Sequence, residues 1–259
     1  MIVCSSKPLP VILAALLARI SGKLPCLDNE IRRLGLFAQL KPRFADKEDL
    51  GNLLDQLQQQ QNLDARWLYS ENGRQLARLI AANLRYQVPD RGPVMFAALE
   101  EAFLHGPSYC LLGIGDASQL FIARSRAVCH EVHRMTGFIR FHPAPNNMLI
   151  ARPKLFHDTG DWLIRQLARR YPQACLILLL ENQVLRFENN VLSVMGDPTP
   201  FLPYLNNQAF DIAWETYYRA QYIESRRNDR QASRLIPKKY RTWLNEGSIL
   251  NEIALKPQT

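Results

Sequence analysis

The sequence lacks most of the short signatures that announce a chemistry. There is no GxxxxGK[ST] run to cradle phosphates on backbone amides, and no GxSxG turn to expose a nucleophilic serine. LLGIGDAS offers Gly113 and Gly115, but Ser118 stands where a dinucleotide loop needs its third glycine, so a turn is the reading. The five cysteines, Cys4, Cys26, Cys110, Cys129 and Cys175, are odd in number and widely separated. That spacing excludes a disulfide framework and a closely spaced zinc or iron–sulfur site, and it fits reduced thiols in a cytosolic protein. Long apolar runs are missing too. VILAALLARI, after Pro10, is too short to span a bilayer and is interrupted by Arg19, so it reads as a buried helix. No cofactor-binding, metal-binding or membrane signature remains.

What is present is an ordinary globular composition, 47% hydrophobic and 22% charged over 259 residues, enough to bury one large core or two smaller ones. The charge is less ordinary. Lysines and arginines outnumber acids by 32 to 24, a formal net charge of +8 that favours acidic partners such as nucleic acid. The excess is concentrated in WETYYRAQYIESRRNDRQASRLIPKKYRTWLNE, Trp214 to Glu246. There Arg219, Arg226, Arg227, Arg230, Arg234, Lys238, Lys239 and Arg241 face only Glu224 and Asp229 between Arg219 and Arg241.

Periodicity predicts an α+β protein. Its N-terminal part (1–92) reads as mainly helical: the segment after Pro10, then 46–60 with Leu50, Leu53, Leu54 and Leu57 at helical spacing, then 73–84 with Leu76, Leu79, Ile80 and Leu84 on one face. The glutamines from Gln58 belong to the polar side of the second helix. PDRGP, Pro89 to Pro93, is the clearest break. The middle (93–205) reads as an α+β core: a helix over 124–135 closed by Gly137, strands FIRFH and MLIAR around PAPNN, a helix over 158–171, then strands CLILLL, VLRF and VLSV. Helices against an antiparallel sheet are the expected arrangement. The last part (206–259) reads as a basic helical segment packed on that core, with Pro237 opening a second short helix.

Within a helix over 213–234, Arg219, Arg226, Arg230 and Arg234 fall seven, four and four positions apart, on one stripe. Like charges at that spacing destabilise an isolated helix unless an anion offsets them. Arginine forks match phosphate oxygens, and aromatic rings stack on unpaired bases. We therefore assign Arg219, Arg226, Arg227, Arg230, Arg234, Lys238 and Lys239 to a nucleic-acid-binding surface, with Trp214, Tyr217, Tyr218 and Tyr240 as its aromatic support. A solvated basic face with core aromatics is the plainer reading of the same pattern.

CHEVHRMTGFIRF, Cys129 to Phe141, is the second constellation. His130 and His133 are three apart, and Arg134 stands where a zinc protease needs its second histidine. A metal would need a distant ligand such as His142, His157 or Cys129, and no metal site is assigned. Arg134 and Arg140, with His133, read as a second phosphate-facing cluster, and Glu131 and His133 are the candidates for acid/base work. Glu100 and Glu101, adjacent on a helix, point in different directions and read as surface.

The two constellations together resemble a bacterial family described as probable DNA-metabolism or putative DNA-repair proteins. HEVHRMTGFIRF is similar to that family's R-E-x-H-R-M-x-G-F-x-R-F run. The stretch from Trp214 is similar to its W-x-x-Y/F-F/Y, E-R-x-N and R-x-x-P-x-x-Y-W pattern. The likeness covers about Arg124 to Glu246 and carries over to Glu131, His133, Arg134, Gly137, Phe138, Arg140, Trp214, Tyr217, Tyr218, Glu224, Arg226, Asn228, Arg234, Pro237 and Tyr240. The family's final Tyr-Trp pair is here Tyr240–Arg241, with Trp243 a little later, and residues 24–120 match poorly. The resemblance implies a genomic pairing with a radical-SAM protein and fusions of related domains to uracil-DNA-glycosylase-like domains. It implies no catalytic residues.

Three functions follow as expectations: a cytoplasmic DNA-binding accessory factor for repair or base modification, working with a radical-SAM partner; a nucleobase- or lesion-processing hydrolase; or a protein-interaction module that docks on an acidic partner without touching nucleic acid.

Overall fold

The structure is a computed structural model and describes residues 1–31 and 42–205 and the single positions 212, 213, 216, 220 and 240. The chain forms two compact units, Met1–Glu131 and Val132–Thr259.

The first unit is mainly helical, with a small parallel sheet that periodicity did not reveal. Its strands are β1 (Ile2–Cys4), β2 (Pro25–Leu27) and β3 (Arg43–Phe44), in the order β2-β1-β3. Strands of two or three residues are too short to display alternation. Between β1 and β2 runs α1 (Pro8–Ser21), with proline in its first turn and Gly22 in the left-handed conformation at φ 66° past its end. Val11 to Leu17 are all buried, so this helix is surrounded by protein on every side, as its unbroken apolar run requires.

After the short α2 (Asp28–Ile31) and β3, α3 (Leu50–Gln61) and α4 (Glu71–Asn83) pack Leu53, Leu54, Leu57, Leu76 and Ile80 into one core. Both starts are capped: Asp49 accepts from the Asn52 amide at 2.9 Å and Ser70 from the Asn72 amide at 3.2 Å. Such caps are each worth about 1 kcal/mol. A Cβ on Gly73 would lie 1.9 Å from the Leu68 carbonyl oxygen, so close backbone approach dictates glycine there.

The Pro89–Pro93 break opens α5 (Arg91–His105) inside this unit. The break is tied down locally. The Gly92 amide donates to Glu30, Arg91 donates to the Leu84 carbonyl, and Arg124 pairs with Asp90 at 2.8 Å. The short α6 (Pro107–Leu111) follows, and Gly113, at φ 68°, makes the turn before α7 (Asp116–Phe138). The division between the units falls within α7, after Glu131.

In the second unit, β4 (His142–Ala144) and β5 (Met148–Ala151) form a hairpin whose turn places Asn146 and Asn147 at positive φ, as a type I′ turn demands. Then come α8 (Gly160–Ala168), β6 (Cys175–Leu179), β7 (Val184–Glu188) and β8 (Val191–Met195), the last two joined by Asn189–Asn190, again at positive φ. The sheet order is β4-β5-β6-β7-β8. It is mixed, which corrects the expected antiparallel sheet: β5 and β6 run parallel because α8 carries the chain back between them. FIRFH is not a strand either. The amide of Ile139 still donates to Met135 in helical fashion, and pairing begins only at His142.

β6 is buried on both faces. Leu176 and Leu178 join Leu163, Ile164 and Leu167 of α8 in one core, while Cys175, Ile177 and Leu179 join Ile150, Val184 and Phe201 in another. Among the described residues no helix is long and apolar enough to cross a membrane.

Candidate nucleic-acid interface

The end of α7 carries the sequence-predicted cluster. Its apolar residues Val128, Val132, Met135 and Ile139, spaced by four, three and four, are all buried. That seam fixes where the polar residues go. Glu131 is buried, at 1% exposure, whereas His130, His133 and Cys129 are exposed. Glu131 and His133 are two positions apart on a helix, which sends their side chains to different sides, so they do not work as one acid/base pair. Among the described residues no three histidine, cysteine, aspartate or glutamate side chains are grouped to hold a metal ion.

Arg134 is half-buried, with no carboxylate partner among the described residues. Arg140, also half-buried, donates from Nη1 to the carbonyls of Gly137 at 2.7 Å and Ile139 at 3.2 Å. Arg170, which follows α8 and is exposed, donates from Nη1 to the Thr136 carbonyl at 2.8 Å. The last carbonyls of a helix have no intrahelical donor and carry its partial negative charge, so guanidinium groups collect there.

Tyr240 is the residue of the basic segment whose side chain the structure describes in full burial. Its exposure is 1%, with the Phe156 ring edge-on at 5.2 Å and the Phe138 ring tilted at 6.1 Å. It serves the core of the second unit, so its ring is not available to stack on a base. The other residues assigned to the surface, Trp214, Tyr217, Tyr218, Arg219, Arg226, Arg227, Arg230, Arg234, Lys238 and Lys239, lie outside the described residues.

Charge pairing separates the two units. In the first, Arg43 pairs with Glu48, Arg66 with Asp55, Arg74 and Arg78 with Glu71, Arg124 with Asp90, and Arg19 with Glu100. The Arg124 hydrogen bond holds the Asp90 carboxyl below its ordinary pKa, and the Arg74 hydrogen bond does the same for Glu71. Glu101, expected at the surface, is half-buried and accepts from the amides of Ala117 and Ser118 and from the Ser118 hydroxyl, capping α7 from a neighbouring helix. In the second unit Arg186 pairs with Glu188 at 2.6 Å, while Arg134, Arg152, Arg165, Arg169 and Arg170 have no carboxylate partner among the described residues. Arg165 instead sits over the Phe187 ring at 5.7 Å. Arg165, Arg169 and Arg170 were missed from sequence, although RQLARR shows the same four-residue spacing as the C-terminal stripe.

By sequence the first unit holds 15 basic and 13 acidic residues and the second 17 and 11. The fold and this distribution define an α+β protein whose second unit carries most of the net charge. The chain belongs to the family of the domain of unknown function DUF4130, whose profile matches residues 89–246. The match begins at the PDRGP break and takes in both constellations. No curated protein and no solved structure matches the chain.

Proposed function

We propose that this protein is a DNA-binding accessory factor in DNA repair or base modification, gripping the phosphate backbone through its second unit while a radical-SAM partner enzyme performs the chemistry. The observation that carries the reading is the uncompensated charge of that unit: Arg134, Arg165, Arg169 and Arg170 lack acidic partners among the described residues, and the 219–241 segment adds its own basic excess by sequence. Unpaired arginines on a protein surface repel one another, and a polyanion relieves that repulsion. The likeness of the two constellations to proteins of DNA metabolism supports the choice of DNA and of the partner.

Fluorescence-anisotropy titration with single- and double-stranded oligonucleotides across a salt series tests it. Affinity for duplex should fall with salt by about 0.9 log units per phosphate neutralised. The Arg226→Ala, Arg230→Ala, Arg234→Ala triple variant should flatten that slope by about 3, whereas an Arg74→Ala, Arg78→Ala variant of the first unit should leave it unchanged. Binding that is indifferent to salt, or absent at low salt with the protein folded, would sink the reading.

A further inference from the structure

The end of α8 sets an exposed aromatic ring among arginines. Arg165 and Arg169 are four residues apart, hence neighbours along one side of the helix, and both are exposed. Helical bonding runs on past Ala168: the amides of Arg170 and Tyr171 donate to the Leu167 carbonyl at 2.8 and 3.3 Å. Tyr171 therefore stands on the turn that carries Arg169. It is 41% exposed, and the Phe141 ring meets it edge-on at 5.5 Å, which fixes where it stands while leaving much of it in solvent. Arg165 is placed in the same manner, its guanidinium 5.7 Å from the centre of the Phe187 ring. No acid offsets the group. The sequence has none between Asp161 and Glu181, and Asp161, one turn before Arg165, makes no ion pair with it. Glu188, next to Phe187 on β7, points to the other face of the strand and pairs with Arg186.

We propose that this end of α8 holds a single-stranded segment of nucleic acid, with an unpaired base stacked on Tyr171 and the neighbouring phosphates on Arg165 and Arg169. The proposal rests on the nucleic-acid reading above and adds the strandedness. In a duplex the faces of the bases are covered by their neighbours, so a surface ring can stack only on an unpaired base. A guanidinium is a planar fork of five donors that matches phosphate oxygens two at a time. Arg170 is left out, because its Nη1 is already committed to the Thr136 carbonyl. Tyr171 and Arg165 are each held against a ring of their own unit, Phe141 and Phe187. Ordering them before the strand arrives removes a cost that free surface side chains would meet on binding.

The test uses the full chain, a labelled single-stranded DNA oligonucleotide and its duplex, titrated across a salt series, with thermal unfolding of each variant. Tyr171→Ala should weaken single-strand binding about tenfold, leaving its salt slope and the duplex affinity unchanged, because a ring is lost and no charge. Tyr171→Phe keeps the ring and should bind the single strand as wild type does. Arg169→Ala should lower the single-strand salt slope by about 0.7, one phosphate's share. If Tyr171→Ala does not fold, Tyr171→Leu, apolar but without a ring, takes its place with the same expectations. A folded Tyr171→Ala that binds the single strand like wild type, or that loses single strand and duplex equally, overturns the stacking contact and makes Tyr171 the rim of the core. Wild type that binds duplex but no single strand also overturns it, while the nucleic-acid reading stands. Wild type that binds neither overturns both.

Discussion

The two units of this chain treat charge in opposite ways. The first holds nearly as many acids as bases and spends them on each other: Arg124 on Asp90, Arg74 and Arg78 on Glu71, Arg43 on Glu48. Its carboxylates also do structural work, as when Glu101 and Glu30 hold the first amides of α7 and α5. The second unit carries six of the eight net positive charges and leaves several arginines without acids among the described residues. Like the first unit, it is held by apolar packing, here in layers on both faces of β6 and around the inserted Tyr240 ring. Most ion pairs of the first unit bind its own elements together, whereas the second unit has the Arg186–Glu188 pair and several arginines without a carboxylate among the described residues.

The largest effect should come from Tyr240. If the second unit is held by apolar contacts, Tyr240→Ala should cost about 3–5 kcal/mol, the range for removing a large buried ring. The matching change in the first unit, at the exposed Tyr69, should cost under about 0.5 kcal/mol. Urea unfolding of both variants measures the difference. A Tyr240→Ala protein as stable as wild type would mean that the contacts with Phe138 and Phe156 do not fasten this segment.

A smaller effect distinguishes two adjacent acids of the first unit. Glu101→Ala leaves the start of α7 without its acceptor and should cost about 1–2 kcal/mol. Glu100→Ala removes only its pair with the part-exposed Arg19 and should cost about 0–1 kcal/mol. Equal losses would show that charge in this unit is held by general attraction, not by directed bonds.

Legibility in the sequence followed range. The helices α1, α3 and α4 were readable because their apolar residues lie within a few positions of one another, but the caps Asp49 and Ser70 that set where α3 and α4 begin were not read. The β1–β3 sheet was not, because its strands are too short to alternate. The later strands of the second unit were legible, but FIRFH was read as a strand where pairing begins only at His142, and the strands' direction was not legible. The parallel pairing of β5 and β6 depends on how α8 returns the chain. At the candidate site, Arg134 and Arg140 stand in a contiguous motif and could be named. Arg170 could not, since its partner Thr136 is 34 residues away, and Glu101 was misjudged because the amides it caps belong to another helix.

The smallest effect concerns acid. Asp90 has its carboxyl pKa lowered first by the hydrogen bond from Arg124, and Glu71 by that from Arg74. A carboxylate whose folded pKa lies below its unfolded value contributes stability that is present above the unfolded value, about 4, and is lost as pH falls through the folded one. Acidification below about pH 4 should therefore loosen the first unit by removing its internal pairs. Asp90→Asn should be slightly less stable than wild type at pH 7, by no more than about 1 kcal/mol because the aspartate is half-exposed and screened. The gap should close as pH drops, since wild type then loses the same charge. Urea midpoints for both proteins from pH 7 to pH 2 measure this convergence. Parallel curves would mean that the Arg124–Asp90 pair contributes by packing and not by charge.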